Sequence, residues 1–217
     1  MTWSDTTRMP PDQGTRASGD GRLKIGRLLS PIRSLFIEVF AGSCKLSIAV
    51  SQYAQVVVSS WDVIYGPEFD LLRKPSVHKL LRVLESPYVV AVWWGTPCSS
   101  MTRARRLGRP GPVPLRSDEW PEGLPALSSS NQRKVDDGNR FAVITAIGLE
   151  LGRTSGSFGV CENPWKSFLW AQPRLCTATA RLGLEDFVFD FCQFGEPWQK
   201  RTRLRGDLPG LDELVRL

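Results

Sequence analysis

From Ser34 onward the chain alternates between short runs of β-branched and aromatic residues and stretches with apolar residues at helical spacing. Leu35-Phe36-Ile37-Glu38-Val39-Phe40 reads as a strand that ends in a Gly/Ser turn, and Lys45 to Gln52 as the helix that follows. Gln55-Val56-Val57-Val58-Ser59 is a second such run, closing with Trp61-Asp62. His78 to Leu84 is helical, and Tyr88 to Trp94 forms a buried strand that ends at Gly95-Thr96-Pro97-Cys98. Helical spacing returns over Asn131 to Leu151, with Val135, Phe141, Ile144 and Leu149 among its apolar positions. Phe158-Gly159-Val160-Cys161 then leads as a strand into Glu162-Asn163-Pro164. Leu175 to Leu182 predicts a helix, Asp186 to Phe191 a strand, and Gln193 to Arg205 a loop and a last strand. Strands and helices in alternation predict an α/β fold with a mostly parallel central sheet and helices on both faces.

The 217 residues suffice for one medium domain and are few for two. Residues 1–30 mix Gly, Ser, Thr, Asp, Pro and Arg without periodicity and predict a flexible leader, leaving 31–217 as the domain. Within it, Gly108 to Ser130 is rich in Pro, Gly, Ser and Arg, so a long loop is expected over about 99–130. No apolar run approaches the roughly 20 residues of a membrane helix, and Met1 to Gly21 has no signal-peptide core, so membrane insertion and secretion are not expected. Five cysteines without framework spacing suit a reducing, intracellular compartment. With no CxxC pair and His78 as the single histidine, in a Lys/Leu/Arg-rich stretch, neither a zinc site nor a catalytic Cys-His pair is expected.

The net charge of +6 favours a polyanionic partner. Arg103, Arg105, Arg106, Arg109 and Arg116 cluster after Cys98, and Lys200, Arg201, Arg203 and Arg205 cluster further on. Such runs are often only solvated faces, but beside a candidate nucleophile they suggest contacts to phosphates.

Four motifs fall at predicted strand ends, where the active groups of open α/β sheets converge. Phe40-Ala41-Gly42-Ser43 has the form of a turn that lets a nucleoside cofactor approach the backbone, or of a plain strand-to-helix turn. Trp61-Asp62 offers an indole for stacking on adenine and a carboxylate for ribose, or else a core Trp with a capping Asp. Cys98 follows Pro97 and precedes the arginines, whose charge would favour a thiolate, whereas Cys161, Cys176 and Cys192 read as buried structural cysteines. Glu162 ends a strand and either serves a site or anchors an Arg.

In this order the motifs, closing with Phe194-Gly195-Glu196-Pro197-Trp198-Gln199-Lys200-Arg201-Thr202-Arg203, resemble those of the cytosine carbon-5 DNA methyltransferases, over roughly residues 34 to 205. Pro-Cys-Ser-Ser and Glu-Asn-Pro-Trp are similar to the compact methyltransferase-like proteins of mobile elements. The resemblance implies a Rossmann-like methyltransferase fold that binds S-adenosylmethionine through Phe40, Ala41, Gly42, Ser43, Trp61, Asp62 and Pro97. It implies that Cys98 attacks carbon 6 of a flipped cytosine and that Glu162 holds the base at its ring nitrogen and exocyclic amine. Arg203 would meet the carbonyl oxygen of the base, and Arg201 would brace Glu162 or a phosphate. Ser99, Arg103, Arg105, Arg106, Asn163 and Gln199 would contact the nucleic-acid substrate, and a DNA substrate would imply the nucleus of a eukaryote. A base inside a duplex is out of reach, so extrusion is required.

The sequence departs from the family pattern at Cys44, Ser60, Ser99 and Pro164, where a Gly, an acidic residue, a Gln and a Val are usual. About a dozen residues follow Arg205, so no target-recognition domain is expected there. Three other readings are an inactive nucleic-acid-binding module of the same ancestry, an RNA cytosine methyltransferase, and an amino methyltransferase, which Asn163-Pro164-Trp165 partly echoes.

Overall fold

The computed structural model describes residues 34–105 and 111–215; the expected leader over 1–30, Arg106 and Arg109 lie outside the described residues. Strands β1 (Leu35–Val39), β2 (Val57–Trp61), β3 (Val89–Trp94), β4 (Phe158–Pro164), β5 (Glu185–Asp190) and β6 (Arg201–Gly206) form one sheet in the order β2-β1-β3-β4-β6-β5. The first four pair in parallel, and β6 runs antiparallel between β4 and β5. Helices α1 (Lys45–Tyr53), α2 (Lys74–Leu84), α3 (Ser129–Thr154) and α4 (Pro173–Leu182) complete the layers. The sheet is therefore mostly parallel within a mixed α/β fold, as the alternation predicts.

Strand alternation assigns the layers. Ile37 and Val39 of β1 are buried in the main core with Trp94, Leu80 and Leu84 of α2, Ile144 and Leu149 of α3, and Leu175 of α4. The intervening Glu38 faces α1, where its carboxylate accepts hydrogen bonds from the backbone amide and hydroxyl of Ser47. Helices thus lie on both faces, α1 opposite the other three. On the α1 side a smaller core joins Val160, Leu204 and Leu211.

Local chemistry sets the helix ends. The Ser128 hydroxyl caps α3 by accepting from the Asn131 amide. Pro173 opens α4, and Gly183, with φ 64°, ends it in the left-handed conformation that lacks a Cβ penalty. Helix α2 begins at Lys74, a turn earlier than expected, because the lysine and proline before His78 fit a helix start.

The loop expected over about 99–130 carries no strand or helix among its described residues before α3, yet it is packed, with Met101 and Leu115 buried. Among the described residues no helix is long and apolar enough to cross a membrane.

Candidate active site

The turn after β1 is the most constrained backbone near the carboxyl edge of the sheet. Phe40 (φ 61°), Gly42 (φ 50°) and Cys44 (φ 56°) all take the left-handed conformation, which is rare for a side chain such as Phe. Hydrogen bonds hold it: the Phe40 amide donates to Trp61 O at 2.7 Å and the Gly42 amide to Asp62 Oδ2 at 2.9 Å. A Cβ on Gly95, at the end of β3, would sit 3.0 Å from Phe40 O, so this glycine lets the two strand ends close together. A Cβ on Gly42 would instead enter open space.

A cleft of about 690 Å³ opens over the carboxyl ends of β1, β3 and β4. Its walls bring together the Phe40-Ala41-Gly42-Ser43 turn, Pro97, Cys98, Glu162 and Asn163, residues far apart in sequence. Glu162 Oε2 accepts from Trp93 Nε1 at 3.2 Å, and Oε1 lies 3.8 Å from Lys200 Nζ, so both oxygens of the carboxylate are held. The Cys98 thiol is half-buried and has no hydrogen-bond partner among the described residues. Asn163 is buried and acts on the backbone: its amide nitrogen donates to Thr96 O at 2.6 Å, tying the end of β4 to the segment that carries Cys98.

Other expected site residues lie elsewhere. Trp61 is 3% exposed, with its ring edge-on to Phe69 and Lys79 over it, so no indole face is open to an adenine. Asp62 accepts from the Gly42 and Ile64 amides, which makes it the cap of the short 3-10 turn Val63–Tyr65 and a brace for the first turn. Neither residue lines the cleft. Of the two readings the sequence offers for this pair, the geometry matches the core Trp and the capping Asp.

Arg201 and Arg203 lie away from Glu162, which leaves a phosphate as the contact expected of Arg201. Along β6, Thr202 and Leu204 share a face with Glu162, while Arg201, Arg203 and Arg205 point to the other side of the sheet. Arg203 pairs with Asp186 at 3.2 Å and stacks near Trp170, and Arg201 stacks on Trp165, so neither meets Glu162. Burial lowers the pKa of Arg203. Lys200, one residue out of phase with them, reaches the cleft instead, as does Lys45 of α1.

The described arginines after Cys98 bond within the protein. Arg103 forms a bidentate pair with Asp118, which raises its pKa, and Arg105 donates to the carbonyls of Ser99 and Val113. Arg116 is buried. Ser99 is exposed outside the cleft, and Gln199 is exposed with its amide 3.3 Å from Asp190.

Among the other thiols, Cys161 is fully buried and pushed up to about 12 by burial, an inert core residue. Cys176 donates to Trp170 O, whereas Cys192 is exposed rather than buried. Cys44 bonds Tyr65 Oη at 3.0 Å, and that bond is the main cause of the tyrosine being pushed up to about 12.

Glu38, Lys45, Trp93 and Lys200 are among the cleft residues that the sequence does not assign to the site. Trp93 carried a signal, since it must face opposite to its neighbour Trp94 on one strand. No protein-family model matches the chain, and no curated protein matches it.

Proposed function

We propose that the chain is a Rossmann-like S-adenosylmethionine-dependent methyltransferase that methylates carbon 5 of cytosine in DNA through a covalent cysteine adduct. The reading rests on one observation: a thiol, a held carboxylate and a tight left-handed turn share one cleft at the carboxyl ends of parallel strands. The open space beyond Gly42 and the close approach of Gly95 leave a cradle that fits a nucleoside cofactor against the Phe40–Ser43 backbone. S-adenosylmethionine bound there would supply an electrophilic methyl group.

The chain's own residues provide the rest. Sulfur of the Cys98 thiolate adds to carbon 6 of the extruded base, and the displaced π electron pair makes carbon 5 nucleophilic. Glu162, held by Trp93 and Lys200, accepts from the exocyclic amine and shares a proton with the ring nitrogen, where that proton offsets the negative charge the thiolate adds to the ring. After carbon 5 is methylated, loss of its proton to a base and expulsion of the thiolate restore Cys98. Asn163 keeps the Glu162 strand end and the Cys98 segment in register.

The test is incubation with tritiated S-adenosylmethionine and DNA or RNA, followed by nucleoside analysis. Wild type should label 5-methylcytosine in DNA, Cys98→Ala should give none, and Glu162→Gln should lose at least about 100-fold in rate. Label in RNA alone would move the substrate to RNA, and label surviving in Cys98→Ala would remove the covalent step.

A second reading has its own support. Trp61 and Asp62 are occupied within the protein and the arginines stand away from Glu162, which fits a nucleic-acid-binding module of methyltransferase ancestry without catalysis. Calorimetric titration with S-adenosylmethionine separates the two readings, since the inactive module should give no binding heat.

A further inference from the structure

The sheet face that holds Arg201 and Arg203 has a groove of its own, about 530 Å³, whose walls include Arg103, Trp165, Lys166, Trp170 and Arg203. The two indoles are fixed by backbone bonds: the Trp165 amide donates to Arg201 O at 3.0 Å and Trp170 Nε1 to Pro164 O at 2.9 Å. Cations lie over both. Arg201 and Lys166 sit 4.5 and 5.5 Å from the Trp165 ring centre, and Arg203 lies 5.2 Å from that of Trp170. A guanidinium stacked on an aromatic face is held flat, while its in-plane N–H donors stay free for the edge of an anion.

Charge is not balanced there. Asp118 is taken by Arg103, and Asp186 is shared between Arg203 and Arg205. Lys166 and Arg201 have no acidic partner among the described residues, and Arg203 Nε is buried without an acceptor. Position adds the second argument. Pro164 lines the catalytic cleft and the next residue, Trp165, lines the groove, while Arg103 follows Cys98 by five positions. A polyanion with one unit in the cleft would cross this rim onto the groove. Cations spread between fixed aromatic faces suit successive phosphates and their sugars better than a single small anion.

We infer that the groove between Trp165 and Trp170 binds the sugar-phosphate backbone of the nucleic-acid strand beside the target base, with Lys166 on its wall and Arg201, which lies over Trp165 beside it, as the phosphate contacts. The inference rests on the proposed function for the identity of the polyanion. It is tested on the full chain with a fluorescein-labelled single-stranded oligodeoxynucleotide and its duplex, by anisotropy across a range of salt concentrations. The variants are Lys166→Glu with Arg201→Glu, and Lys74→Glu with Arg82→Glu, two exposed cations on α2 whose reversal matches the change in net charge. Melting curves confirm that each is folded. The groove variant should bind about tenfold more weakly at physiological salt, with a salt slope shallower by about 1 to 2. A groove variant that binds no more weakly than the charge-matched α2 variant overturns the inference, as does wild type that binds neither oligonucleotide. Groove-dependent binding without methyl transfer would sink the enzymatic reading and leave the groove standing. Methyl transfer with groove variants equal to the control would do the reverse.

Discussion

Arg116 shows how far a side chain's role can depart from its sequence neighbourhood. It ends a run of arginines that reads as a phosphate-binding surface, yet it is 4% exposed and donates to Ser100 O, Pro121 O, Val135 O and Asn139 Oδ1 at 2.7 to 3.1 Å. Burial pulls its pKa down to about 10, which still leaves it charged at neutral pH. One guanidinium thereby fastens the segment after Cys98 to α3. Arg116→Ala would strand several buried carbonyls, so urea unfolding should show a loss of about 3 kcal/mol or more. Arg116→Lys should recover little of it, since a lysine ammonium cannot reproduce the planar fork.

Helix α3 meets β3 through a missing side chain: a Cβ on Gly148 would overlap the ring of Trp94, which is fully buried. Gly148→Ala gains about 1 kcal/mol of helix propensity, but overpacking a filled core costs about 1 to 3 kcal/mol. The net effect should be a lower melting temperature, relieved when Trp94→Phe is added. The strands and helices were largely legible because their apolar spacing is local. Two features were not. The insertion of β6 between β4 and β5 is a long-range pairing with no local signature, and the face that β6 gives to each side chain depends on that register. Spacing by two places Arg201 and Arg203 on one face with certainty, but a one-residue slip decides which face. For the same reason Lys200 could not be singled out, whereas Pro97, Cys98 and Glu162, at strand ends, could. Asp62 was legible as either a ligand or a cap, and only the positions of the Gly42 and Ile64 amides distinguish them.

Acid should loosen the molecule through the junction of α3 with α4. The Arg174 guanidinium beside Glu150 holds its carboxyl below the ordinary value of 4.5, with Arg181 adding to the effect. A folded value below the unfolded one contributes stability that is present above about pH 4.5 and lost as the pH falls through the folded value. Unfolding followed between about pH 6 and 3 should therefore show a steeper loss for wild type than for Glu150→Gln.

The position of β6 also has a consequence for how the chain is made. Strands β1 to β4 can assemble as synthesis proceeds, but β5 has no neighbour in the sheet until Arg201–Gly206 arrive to separate it from β4. Through that interval the nascent chain carries a bare β4 edge and an orphan strand, both open to pairing with other chains. The wall of the cleft that holds Lys200 is the last to form, so a ribosome-bound intermediate would display Cys98 and Glu162 before Lys200 could hold the Glu162 carboxylate.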